Sequence, residues 1–271
     1  MQKIVFISDL HLSHTSVAAN ELFYKMLNNW RNEIDSLYIL GDFFDYWIDD
    51  NDDHEFARTM IVHLYQFASV VPTYFIKGNH DFMVGKKFAK LTNIKILNDV
   101  HIIAVGNKTP IQILLTHGDI FCSLDYNYQL MKKILRNPIL LNLLSLLPLN
   151  IKYKIKELLE HYSHKTKINT NAKIKNEASL KKYNHQFIYQ IVDNTVVNIA
   201  NKHYVSHVIH GHTHRPGNYR IKLNDINKNY ITRLELPNWD KNNIGKYMLL
   251  TINDDKHSFD FIDHQSQKVF T

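Results

Sequence analysis

Asp9, His11, Asp42, Asn79, His117, His212 and His214 stand out among the 271 residues because each lies in a short polar motif that follows an apolar run. The motifs are Asp9-Leu10-His11, Gly41-Asp42-Phe43-Phe44-Asp45, Gly78-Asn79-His80-Asp81, His117-Gly118-Asp119 and Gly211-His212-Thr213-His214. Singly, each has an ordinary reading: Asp-x-His recurs by chance, Gly-Asp marks a turn, and Asn-His-Asp caps a helix. Most of the 17 histidines must be plain surface or core residues. Together the motifs offer carboxylate, imidazole and amide donors of intermediate hardness. That set suits two divalent ions of the Mn, Fe or Zn type with one carboxylate between them, an arrangement that activates water for hydrolysis. Gly41, Gly78, Gly118 and Gly211 would permit sharp exits and close backbone approach to the donors.

For motifs scattered over two hundred residues to meet, strand ends must converge, as they do at the carboxyl edge of an α/β sheet. Apolar or β-branched runs at 4–8, 37–40, 73–76 and 111–116 have strand length, and amphipathic stretches near 17–31, 54–69 and 84–91 predict helices. Strands are expected again at 205–209, 219–223, 230–236, 247–252 and 257–262. This alternation is α/β layering. Between the two sets the periodicity turns helical through Leu130, Ile134, Ile139, Leu143, Leu147, Ile155 and Leu159, broken at Pro138 and Pro148. The helical block therefore reads as an insertion into the α/β core. Residues 164–184, rich in Lys, Asn and Thr, read as a loop or weak helix, and no internal repeat is visible.

Composition excludes some classes. With 45% apolar and 21% charged residues the chain is an ordinary globular protein, and a single cysteine, Cys122, forms no internal bridge, which fits a reducing compartment. The opening run is too short for a signal peptide or a membrane span and reads as a buried strand. The net charge of +6 is unevenly spread: residues 126–185 hold 12 basic and three acidic residues, or +9, which leaves −3 elsewhere. Such a segment suits a membrane surface, a phosphorylated substrate or nucleic acid, or is simply a solvated helical face. Aromatic and basic residues are not interleaved as a base-stacking platform requires, so no nucleic-acid partner is expected.

The ordered set of five motifs resembles the calcineurin-like metallophosphoesterase superfamily. The resemblance implies a four-layer α/β/β/α sandwich over a two-metal site, with an inserted helical lid. It implies that Asp9, His11, Asp42 and His214 hold one ion and Asp42, Asn79, His117 and His212 the other. Longer phrases are similar to the family of UDP-2,3-diacylglucosamine diphosphatases of lipid A biosynthesis: 38–50 around Gly41-Asp42, 75–89 around Gly78-Asn79, His117-Gly118-Asp119 with Cys122 and Asp125, and 209–216. Membership would imply cleavage of UDP-2,3-diacylglucosamine to 2,3-diacylglucosamine 1-phosphate and UMP, with two Mn²⁺ ions per chain and water attacking the α-phosphorus. The place of action would be cytoplasmic, at the inner-membrane surface as a peripheral protein, with no obligate protein partner. The alternative is another dinuclear-metal phosphodiesterase or pyrophosphatase acting on a nucleotide or nucleotide-linked substrate.

The expected layout is thus a metallophosphoesterase core over 1–125 and 186–271, and a helical insertion over 126–185 that meets acyl chains and membrane. Leucine-rich helices flanked by Lys132, Lys133, Arg136, Lys152, Lys154 and Lys156 suit a substrate with two acyl chains and a diphosphate; the bland alternative is a hairpin packed on the core. Asp42, Asn79 and His80 are the expected catalytic residues. Asn79, His80, Asp125, Ser163, Lys167, Lys173 and His212 are the expected substrate contacts, with Lys167 and Lys173 competing for the role of lid cation. His80 stands where the diphosphatase family usually has Arg, and either donates a proton to the leaving oxygen or steadies the phosphate.

Overall fold

Alternation of buried side chains along the first strands decides the layering. In the computed structural model, which describes residues 1–106, 109–155, 157, 190–223, 230–240, 243–254, 256–264 and 269–270, β1 (Gln2–Ile7) lies in the middle of a seven-stranded sheet. Its neighbours are β2 (Ser36–Leu40), parallel with Val5 opposite Leu37, and β10 (Lys246–Asn253), antiparallel with Lys3 opposite Thr251. The sheet continues through β3 (Thr73–Ile76) and β4 (Lys95–Ile96) on one side, and through β11 (Lys256–Asp263) and β12 (Val269–Phe270) on the other. Buried on both faces, β1 is a continuous apolar run, as a central strand must be.

Odd positions of β1 meet helices and even positions meet the other sheet, because successive side chains point to opposite faces. Val5, Ile7, Leu37, Ile39 and Phe75 pack with Phe23, Met26, Leu27 and Trp30 of α1 (Val17–Trp30) and with Met60, Leu64 and Phe67 of α2 (Glu55–Ala68). Phe88 of α3 (Lys86–Thr92) joins them. Ile4, Phe6, Tyr38, Leu40 and Ile76 pack instead with Ile113, Leu115, Ile209 and Leu234 of a second sheet. That sheet runs β5 (Val100–Val105), β6 (Ile111–Thr116), β7 (His207–His210), β9 (Tyr230–Glu235) and β8 (Gly217–Lys222) in spatial order. Leu114 and Val208 are buried on its outer side, and Val196 and Ala200 form the buried stripe of the helix Asp193–Lys202. Each buried Val, Leu, Ile, Met or Phe among them contributes roughly 1.5–3 kcal/mol.

The sequence expectation of an α/β/β/α sandwich agrees with this architecture. It missed β5, a β-branched run at the sheet edge, and the two-residue strands β4 and β12.

The chain divides into two compact units, Met1–Asp119 with Asp193–Thr271, and Ile120–Val192. In the second unit, Asp125 caps α4 (Tyr126–Leu135) by accepting from the Tyr128 backbone N–H at 3.0 Å, and Asn137 caps α5 (Pro138–Ser145), with Pro138 in its first turn. Residues 149–155 are helical. Among the described residues no helix is long and apolar enough to cross a membrane. Ser163, Lys167 and Lys173 lie outside the described residues, as do Lys156 and Leu159.

Candidate metal centre

Beyond the ends of β1 and β2 the two segments stay joined as distorted strands. Asp9 N donates to Gly41 O (3.0 Å), His11 N to Asp42 O (3.1 Å), Leu12 N to Phe43 O (2.9 Å) and Asp45 N to Leu12 O (3.0 Å). Asp81 ties the third motif to the second, its carboxylate accepting from the Gly78 N–H (2.6 Å) and the Phe43 N–H (2.8 Å). Burial, reinforced by the Asp42 charge, pushes the Asp81 carboxyl up to about 6. From the second sheet, Gly211 N donates to His117 O (2.8 Å) and His212 N to Asp9 Oδ2 (2.9 Å), which brings the last two motifs against the first. Gly211 is needed there: a Cβ would sit 2.0 Å from Ser8 Oγ and 2.1 Å from Asp9 Oδ2.

The side chains converge. Within the described residues three sets bring ligand atoms within 4.8 Å of one another: Asp9, His11 and His214; His11, Asp42 and His80; and Asp42, His117 and His212. Asp42 joins two of them, with Oδ2 3.6 Å from His117 Nε2 and 3.9 Å from His80 Nε2, while Oδ1 accepts from the His80 N–H at 2.9 Å. Asn79 is brought in through Oδ1, 3.1 Å from His117 Nε2, and that nitrogen is also 3.1 Å from His212 Nδ1. A carbonyl only accepts, so His117 Nδ1, 2.9 Å from Leu40 O, carries a proton and turns Nε2 toward the cluster. His80 Nδ1, 2.5 Å from Asp45 O, does likewise.

The donor set fits divalent ions. Asp9 Oδ2 is taken up by Ser8 Oγ and the His212 N–H, whereas buried Oδ1 accepts no hydrogen bond and lies 3.4 Å from His214 Nε2. His11 Nε2 is equally buried without a hydrogen-bond partner. A buried carboxylate oxygen and a buried imidazole nitrogen that make no hydrogen bond are costly unless a cation satisfies them. The backbone is strained at the same place: of eight non-glycine residues with positive φ among those described, Asp9, His11, Asp42, His212 and His214 make up five. Left-handed φ in such residues persists where the surroundings over-determine it, and functional sites are where it gathers.

Electrostatics favour ionised Asp9 and Asp42 carboxylates, favour neutral imidazoles at His11, His210 and His212, and favour the protonated form at His117 and His214. Burial works against the Asp9 and Asp42 charges, but neighbouring histidines outweigh it and both carboxyls are held below the ordinary range. His212 is depressed to about 4 by burial and by His117, and His11 is lowered chiefly by burial. For His117 burial is overcome by the carboxylates of Asp42, Asp9 and Asp119, and its pKa is raised; contact with Asp9 raises His214. His210 is pushed down to about 3 by burial and by Arg233.

These shifts fix a sign. His210 and His212 stay neutral in the fold but protonate near 6.5 once unfolded, so their contribution is complete above that pH and is lost as pH falls toward 4. Burial lowers His11, His63, His101 and His207 in the same sense, while the Asp81 and Glu235 carboxyls, both raised by burial, work the other way. The chelated protein should therefore melt lower at pH 4 than at pH 6, by roughly 5 °C or more. A thermal melt that is flat or rises across this range would contradict the assigned neutral histidines.

Of the expected site residues, Asp9, His11, Asp42, Asn79, His80, His117, His212 and His214 are thus brought together. Asp125 has its carboxylate on the cap of α4, and Ser163, Lys167 and Lys173 are not described. Sequence reasoning gave no role to Ser8, Asp81, His210, Arg233 or Glu235. A charged pair in Arg233-Leu234-Glu235-Leu236, inside an otherwise apolar strand, was the available signal for the last two.

Similarity to known proteins agrees with this geometry. A family model described as calcineurin-like phosphoesterase matches residues 2–216, a span that contains all five motifs. A protein named UDP-2,3-diacylglucosamine hydrolase from Coxiella burnetii is 33% identical over 242 residues, covering 88% of this chain and 90% of that one. Proteins of the same name from Edwardsiella ictaluri and Vibrio atlanticus are 37% identical over 222 residues (82% and 79% covered) and 34% identical over 238 residues (88% and 89% covered). Matched by the family model over residues 2–216 and by these relatives over most of its length, the chain belongs to the calcineurin-like phosphoesterase family and, within it, to the family of these hydrolases.

Proposed function

We propose that the protein hydrolyses the diphosphate of UDP-2,3-diacylglucosamine, releasing UMP and 2,3-diacylglucosamine 1-phosphate, a step of lipid A biosynthesis. The observation that carries the reading is Asp42 Oδ2, which faces two clusters of ligand atoms at once. Asp9, His11, Asp42 and His214 would hold one Mn²⁺ ion, and Asp42, Asn79, His117 and His212 a second. When bound, such a pair supplies Lewis acidity to a phosphate oxygen and lowers the pKa of a water for in-line attack on phosphorus.

The chain's own residues orient the reaction. The attacked atom is the α-phosphorus, and the bond broken runs to the oxygen bridging the two phosphates, so the leaving group is itself a phosphate ester. Such a group departs with little need of a proton. His80, whose Nδ1–H is spent on Asp45 O, presents Nε2 to the phosphate and steadies its charge when protonated there. Asn79 and His212 complete the grip on the phosphate. In this reading residues 126–185 are the lid, with Asp125, Ser163 and either Lys167 or Lys173 as polar contacts.

Support for the acyl chains comes from the second unit taken by itself. Tyr126, Leu130, Ile134, Ile139, Leu143 and Leu146 are exposed, and Lys132, Lys133 and Arg136 lie among them in sequence. Apolar side chains with interspersed cations suit hydrocarbon next to an anionic surface, here the cytoplasmic face of the inner membrane, to which the protein would bind peripherally.

The test is incubation with Mn²⁺ and UDP-2,3-diacylglucosamine, resolving UMP from UDP, run in parallel on a small soluble phosphodiester and on the Leu143→Asp variant. Leu143 is 58% exposed, so the substitution costs the fold little. UMP should be the nucleotide product. The variant should lose at least about tenfold in kcat/KM on the lipid, because a charge then faces hydrocarbon, while keeping the small substrate. UDP as product would refute attack at the α-phosphorus, and no turnover of the lipid at all would favour a nucleotide diester as substrate.

A further inference from the structure

Glu235, Arg233 and His210 supply no ligand atom, yet they close a hydrogen-bonded ring on the Gly211–His214 loop. Oε1 of Glu235 accepts from the Thr213 hydroxyl and from the Arg215 backbone N–H at 2.9 Å. Oε2 accepts from Arg233 Nη1 at 3.0 Å, and the same Nη1 donates to His210 Nε2 at 2.9 Å. His210 Nδ1 lies 2.7 Å from Gly211 O, which brings the ring back to the loop. A carbonyl on one side and a guanidinium on the other leave His210 a single arrangement, with the proton on Nδ1 and the lone pair on Nε2. Within the ring, the Arg233 Nη1 donor and the His210 Nδ1–H each meet an acceptor.

Stability does not account for this ring. Glu235 is 1% and Arg233 7% exposed, and ion pairs so deeply buried are commonly matched or bettered in stability by apolar residues of similar volume. What the ring does contact is the strained loop. His212 and His214, at φ 80° and 56°, flank Thr213, and left-handed backbone at such residues is strained. The Glu235 carboxylate fastens the hydroxyl between these two residues and the N–H that follows them. The same loop donates the His212 N–H to Asp9, so its position also sets which Asp9 oxygen is free to face His214.

We propose that Glu235, fixed by Arg233 and His210, is a positioning residue that clamps the His212–His214 loop in its ligand-presenting form, so that metal affinity is set partly by a carboxylate that touches no ion. This rests on the metal-centre reading above. The test is Mn²⁺ titration of the metal-free protein by calorimetry for wild type, Thr213→Val, Thr213→Ser and Glu235→Gln, with a thermal melt of each. Thr213→Val removes the hydroxyl at nearly constant volume and should weaken Mn²⁺ binding by roughly 10–100-fold. Thr213→Ser should restore it, and Glu235→Gln, if it folds, should weaken it too. The metal-free melting temperature of Thr213→Val should stay within a few degrees of wild type, a split that a purely structural role would not give. Wild-type affinity in Thr213→Val, or failure of Thr213→Ser to recover it, overturns the clamp alone. Failure of the wild type to take up Mn²⁺ would overturn the metal reading and the clamp with it.

Discussion

Asp42→Ala is expected to lower turnover by about three orders of magnitude or more while the protein remains folded. Among the described residues, Asp42 is the one side chain whose carboxylate faces both the His11–His80 and the His117–His212 groups, so its loss takes a donor from each. The burial that makes this charge costly also makes its removal bearable: in the chelated state the variant loses one acceptor for the His80 N–H and an attraction to His117, but leaves no new cavity larger than a carboxylate. Its melting temperature without metal should therefore lie within several degrees of wild type, whereas Mn²⁺ uptake, two ions in the proposed reading, should fall to one or none. Turnover near the wild-type rate would end the two-metal account.

Gly78→Ala should do comparable damage by a different route. A Cβ at this position would stand 2.1 Å from Asp42 Oδ1 and 2.3 Å from Asp42 N. The backbone nitrogen cannot step aside, because the Gly41–Asp45 segment is fastened to the Asp9–Leu12 segment bond by bond and to Asp81 through the Phe43 N–H. The chain must yield at the centre itself. A cost of roughly 1–3 kcal/mol in folding stability is expected from such crowding, together with a fall of about 100-fold or more in kcat/KM, since displacements near 1 Å are enough for that in a site built on orientation. Thermal melting and steady-state kinetics measure the two effects. An alanine variant that melts and turns over as wild type does would mean that the segments are not held as described.

The placement of the site was legible because two signals coincide in the sequence. Apolar runs of strand length end where Asp, His or Asn begins, and the physics of α/β sheets sends such ends to one edge; β1, β2, β3, β6 and β7 do end at or within two residues of their motifs. Other features had no local signature. Left-handed backbone is announced in a sequence by Gly or Asn, yet here Asp9, His11, Asp42, His212 and His214 adopt it, and what holds them is tertiary. Glu235 sits in a strand whose composition predicts burial, but its partners Thr213 and Arg215 lie some twenty residues earlier and meet it only because β7 and β9 are neighbours. Asp125 reads as a substrate contact beside Cys122, whereas its spacing of three to Tyr128 is also that of a helix cap, which is where its carboxylate is found.

The pairing of β1 with β10 bears on how the protein is made. Phe6 lies opposite Met248, so β1 waits for a partner that leaves the ribosome more than two hundred residues later. At ordinary elongation rates of about 5–20 residues per second the wait is roughly 12–50 s. In that interval β1, β2, β3 and β4 can pair among themselves and gather Asp9, His11, Asp42 and Asn79, but one edge of β1 stays open and the apolar face destined for the second sheet stays bare. The nascent chain thus passes through a long stage in which it holds half of the candidate metal centre beside an unpaired strand edge.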